Sequence, residues 1–140
     1  MSYSHEDESL RDELERHLSL LKRQGLISTW HDRKILAGDE FGNEIDENLE
    51  SSDIILLLVS PYFLDSDYCY DIEMKRALER HHCGEARVIP IILEHCDWHS
   101  ALFGKLMALP KDGRPITDYP NQHEAFAEIA KGIRRAIDVS

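Results

Sequence analysis

Apolar positions along the chain follow two different patterns. In residues 7–24, Leu10, Leu14, Leu18 and Leu21 recur at helical spacing, acids crowd the first turn, and Gly25 follows as a stop. Residues 121–138 repeat the period with Phe126, Ile129, Ile133 and Ile137 and predict a last helix. The segments "DIILLLVS" (53–60) and "ARVIPIILE" (86–94) are instead apolar without alternation. Such a run needs cover on both faces, which predicts central strands of a parallel sheet. Between them, residues 66–82 predict a helix.

Weaker signals fill the gaps. "LISTW" (26–30) predicts a short strand, the polar segment "HDRKILAGDEFG" (31–42) a loop, and "NEIDENLESS" (43–52) a short helix with Ile45 and Leu49 on one face. Residues 95–110 read as irregular, and "RPIT" (114–117) as a small edge strand. The opening "MSYSHED" has the pattern of a first strand that is short or lacks its front half. Strands alternating with helices give an open α/β sheet with crossovers on both faces. Ligands of such sheets bind beyond the carboxyl ends of the strands, near the topological switch point.

Composition narrows the function. The chain has 140 residues, 42% apolar and 31% charged, and suits one folded domain with a real core. Its net charge is −11, and its nearest approach to a basic patch is Lys131, Arg134 and Arg135, so direct nucleic-acid binding is not expected. The apolar run Ile54–Val59 is far too short to span a membrane, and no signal-peptide pattern opens the chain. Cys69, Cys83 and Cys96 form an odd set without framework spacing, which predicts reduced thiols in the cytoplasm.

Familiar chemistries are missing from the sequence. It contains no GxxxxGK[ST] phosphate loop, no GxGxxG after a strand and no GxSxG elbow. Ser60 stands where a receiver domain would carry its aspartate. "HHC" (81–83) and "HCDWH" (95–99) collect histidine and cysteine, but at neither zinc-ribbon nor HExxH spacing, so no metal is expected there.

Four segments remain to be explained: "SYSHED" at the end of the first strand, "W-HDRKILAGDEF" after the second, "LLLVSPYFLDSDYCYDIE" across the third strand and its helix, and "VIPIILEHCDW" across the fourth. Together, from Ser2 to about Ile137, they resemble the Toll/interleukin receptor (TIR) domain, in particular its bacterial branch. The resemblance implies a flavodoxin-like fold: an open parallel five-stranded sheet, order 2-1-3-4-5, with helices on both faces. It implies a single TIR domain over 1–140, on its own or as part of a larger protein that carries a sensor domain.

The resemblance also implies one of two activities. One is cleavage of NAD⁺ between nicotinamide and ribose, giving ADP-ribose or a cyclic isomer, in bacterial immune signalling and antiphage defence; the other is non-catalytic scaffolding through TIR–TIR association. NAD⁺ would be a substrate, with no resident cofactor. By motif the catalytic acid is Glu73, behind Tyr68 and Cys69. Asp71 is the competing acid, about 200° away around a helix of 3.6 residues per turn. Tyr3, Ser4 and His5 would contact the nucleotide, and Trp98 would stack on a substrate ring. Asp32, Arg33, Gly38, Asp39 and Phe41 would form the loop that docks into another copy.

One carboxylate suffices for such chemistry. A glycosidase usually needs two, one of them to protonate a poor leaving group. The nicotinamide of NAD⁺ carries a positive charge and departs neutral, so no general acid is required. The remaining task is to stabilise an oxocarbenium-like ribose, which one ionised Glu can perform.

Overall fold

A computed structural model describes residues 1–24, 33–35, 54–66 and 72–139 of the chain. Its strands are β1 (Ser2–Ser4), β2 (Arg33–Ile35), β3 (Ile54–Val59) and β4 (Arg87–Ile92). Its helices are α1 (Glu8–Arg23), the short α2 (Pro61–Leu64), α3 (Ile72–His82) and α4 (Gln122–Val139). The strands form one parallel sheet in the order β2-β1-β3-β4.

Residue alternation explains why β3 and β4 contain no polar break. Leu56 and Leu58 of β3 and Ile89 and Ile91 of β4 face one way and pack with Leu14 and Leu18 of α1 and Phe126 and Ile129 of α4. Ile55, Leu57 and Val59 face the other way and pack with Phe63 of α2, Met74 and Ala77 of α3, and Phe103. Side chains alternate between the two faces, so two apolar cores demand apolar residues along both strands, with Arg87 at the half-buried start of β4 the exception. β3 and β4 pair in register from Ile54–Arg87 to Val59–Ile92.

The predicted helices 7–24 and 121–138 match α1 and α4 closely. Two expectations about strands need correction. "RPIT" is not an edge strand: Ile116–Asp118 forms a 3-10 turn between Pro115 and Tyr119. The place beside β4 is taken by a single parallel bridge, Ile91 to Leu109, and Pro110 next to it has no N–H to continue a ladder. Four strands are therefore described, not five. The segment 31–42 is also not loop throughout: Arg33–Ile35 is a strand. Arg33, expected in the docking loop, lies in β2 and pairs with Ser2. β2 is the outer strand of the described sheet. The predicted strand 26–30 and helix 43–52 lie outside the described residues, as does the expected start of the third helix at 67–71.

Two local devices set the ends of elements near the sheet. Ser60 caps α2: the Phe63 N–H donates to its Oγ at 3.2 Å, and Pro61 occupies the first helical position. At the far end of α3 the "HHC" cluster ends the helix. Gly84 turns with φ 76°, and the Val88 N–H donates to His81 Nδ1 at 3.0 Å, tying the helix end to β4.

Candidate functional site

β1 sits between β2 and β3, so the chain leaves it in one direction along the sheet and returns on the other side. That reversal is the topological switch point, the place beyond the carboxyl ends of β1 and β3 where sheets of this kind bind ligands. Asp7 and Ser60 meet there. The Ser60 hydroxyl donates to Asp7 Oδ2, and Ser60 and Asp7 are 0% and 4% exposed. Burial raises the Asp7 pKa. The Ser60 hydrogen bond opposes that shift, while the charges of Glu94 and Glu6 add to it.

Cys96 belongs to the same edge, just beyond β4. Burial, then the nearby charges of Glu94, Asp7 and Asp97, push its thiol to about 11. It is therefore a protonated thiol at neutral pH and no nucleophile. Cys83 is exposed, and both are free thiols.

The residues expected to contact a nucleotide divide. β1 is an interior strand covered on both faces, so Tyr3 and Ser4 are buried, at 3% and 5% exposure. Tyr3 is a core residue, with the Arg11 guanidinium carbon 5.5 Å from its ring centre. His5 alone of the three reaches the surface, where its Nε2 lies 3.0 Å from a Glu6 carboxylate oxygen.

Trp98 is packed into the core among the described residues. It opens a 3-10 turn, is 7% exposed, and packs into the cluster of Phe63, Met74 and Phe103. His99 lies against it, ring centres 3.8 Å apart. On another side is Gly113, where a Cβ would come within 2.6 Å of Trp98 Cζ2. The loop winds tightly enough that its aromatic residue closes the core instead of facing solvent.

Glu73 lies in α3, next to Met74, which is fully buried against β3. The backbone thus carries the proposed catalytic position on the helix that follows the third strand. Tyr68, Cys69 and Asp71 lie outside the described residues, as do Asp32, Gly38, Asp39 and Phe41 of the docking loop.

Asp7, Ser60, Glu94 and Cys96 were not singled out from sequence as site residues. A signal existed for one: Ser followed by Pro after an apolar run marks a helix cap at a strand end. No sequence rule brings Asp7 onto it from 53 residues away.

An open parallel α/β sheet with polar groups at the switch point defines a ligand-binding class shared by many families. The family here is specific: the sequence profile of the TIR domain matches residues 1–134, and the chain belongs to the TIR domain family, whose fold is flavodoxin-like. It is 64% identical over 135 residues to "Uncharacterized protein y4lF" of Sinorhizobium fredii (strain NBRC 101917 / NGR234), covering 96% of this chain and 42% of that protein. The chain therefore spans less than half the length of this relative. No solved structure matches the chain. Among the described residues, no helix is long and apolar enough to cross a membrane.

Proposed function

We propose that this TIR domain cleaves NAD⁺ at the nicotinamide–ribose bond, with Glu73 as the catalytic carboxylate. The observation that carries the reading is the position of Glu73: within a TIR domain, in the helix that follows the strand bordering the switch point. An ionised Glu there stabilises the cationic ribose as neutral nicotinamide leaves, and water or the adenine base then takes the ribose carbon. The first outcome gives ADP-ribose and the second a cyclic isomer. The Ser60–Asp7 pair holds the ends of β1 and β3 together at the switch point. His5 at the rim and Tyr68 and Cys69 before α3 complete the nucleotide contacts.

Activity follows self-association, with Asp32, Gly38, Asp39 and Phe41 docking into another copy. The setting is the bacterial cytoplasm, in keeping with the free thiols of Cys83 and Cys96. The biological role is immune signalling, with a sensor region in the remainder of the protein or in a partner. The test is release of nicotinamide from NAD⁺ by concentrated protein. Glu73→Ala should lower the rate by about 10²-fold or more, with unchanged circular dichroism. Loss on Asp71→Ala with retention on Glu73→Ala would transfer the role to Asp71. No nicotinamide from wild-type protein in its assembled state would leave the scaffold reading.

A further inference from the structure

Among the described residues, one group of metal-binding side chains lies outside the switch point, between the first and last helices. His17 of α1 and His123 of α4 place Nε2 and Nδ1 3.0 Å apart. Glu13, one helical turn before His17, offers a carboxylate oxygen, and one ligand atom from each of the three lies within 4.8 Å of the other two. From this geometry we infer a site for a borderline divalent cation, zinc foremost, held by Glu13, His17 and His123 and clipping α1 to α4.

The distances suit the ion. Ligand atoms about 2.0–2.1 Å from a tetrahedral zinc stand about 3.4 Å from one another. The two imidazoles therefore need to part by only about 0.4 Å to exchange their shared proton for a cation. Glu13 needs a larger side-chain rotation, and its other occupation is weak: Arg16, itself largely exposed, pairs with Oε1. Water takes the fourth position.

The His17 ring and the His123 backbone are held in place before any ion arrives. His17 stacks on Phe126, with ring centres 5.3 Å apart and planes inclined by 21°. His123 sits in the first turn of α4, where its own N–H donates to the Asn121 side chain at 2.9 Å. Two nitrogens and a carboxylate oxygen on fixed helices form a donor set of intermediate softness, which selects zinc, nickel or copper over magnesium and calcium. The histidine-rich segments that attract attention in the sequence are otherwise engaged, His81 with the Val88 N–H and His95 with Asp118 at 2.6 Å.

A bound ion would couple residues 106 apart in the chain and stabilise the folded state by mass action. The experiment uses chelator-treated protein, titrated with zinc chloride by calorimetry, with thermal unfolding followed in parallel. The wild type should bind one zinc per chain and melt at higher temperature in zinc than in chelator. His123→Ala removes an exposed side chain from a helix end and should leave the fold unchanged while weakening binding at least about tenfold and abolishing the thermal shift. His82→Ala/Cys83→Ser, on the other histidine–cysteine cluster, should retain both. Wild-type and His123→Ala proteins with the same zinc isotherm would overturn the inference. So would loss of the zinc response on His82→Ala/Cys83→Ser alone.

Discussion

Trp98 separates a packing role from a substrate role, because the two give opposite readouts on substitution. The ring is 7% exposed and shares a cluster with Phe63, Met74 and Phe103. Truncating a buried Trp to Ala costs about 3–5 kcal/mol, from lost burial plus the cavity that remains. A chain of 140 residues unfolds with an entropy of about 0.3 kcal/mol per degree. The expected fall in Tm for Trp98→Ala is therefore about 10–17 °C, a large part of a stability of about 5–15 kcal/mol. Gly113→Ala supplies the cross-check. Its Cβ would meet Trp98 Cζ2 at 2.6 Å, on a backbone with φ +70°. The clash disappears in the Trp98→Ala background, whereas the backbone penalty, about 1–2 kcal/mol, persists. Thermal unfolding of both single variants and the double variant should show Gly113→Ala costing less without the Trp ring. A Trp98→Ala protein melting within about 3 °C of wild type, with a raised KM for NAD⁺ (about 1 kcal/mol or less of lost stability), would refute the packing argument.

Asp7→Asn should stabilise the protein at neutral pH. The folded Asp7 pKa is raised above its ordinary 3.8, chiefly by burial. Its contribution is then fully present below that value and lost as pH rises through the folded pKa. Asn still accepts from Ser60, so its advantage in chemical unfolding should shrink to nothing as pH falls toward 4; an advantage independent of pH would refute the assignment. His81 titrates the other way. Burial, then His82 and Arg87, lowers its pKa from 6.5, so stability present above 6.5 is lost as pH falls through the folded value. His81→Leu should remove that slope while costing about 1 kcal/mol at pH 8, the net worth of the Val88 hydrogen bond. Finally, if copies complete one another's sites, nicotinamide release should rise faster than linearly with protein concentration. The net charge of −11 repels like copies at low concentration, so strictly proportional rates over about a hundredfold dilution would count against a shared site.

Local pattern was enough for the elements with a strong periodicity or an unbroken apolar run. A run as short as Ile54–Val59 suits a strand with two covered faces better than a helix, and the leucines of α1 form one stripe only as a helix. The order of these elements, with the quoted motifs, sufficed to place the chain in its family. Arg33–Ile35 was read as loop because a short outer strand is specified by its neighbour: it carries no strand pattern of its own and pairs with β1. The edge beside β4 was misread for the converse reason, Pro110 and Pro115 limiting it to one bridge at Leu109. Side-chain fate depended still more on the fold. Tyr3 and Trp98 have the chemistry to hold a nucleotide, yet a strand covered on both faces and a tight loop around Gly113 enclosed them. Ser60 reached Asp7, and His17 reached His123, across 53 and 106 residues. Periodicity along the chain reports which face of an element is buried; which distant groups share that face is decided by how the elements pack.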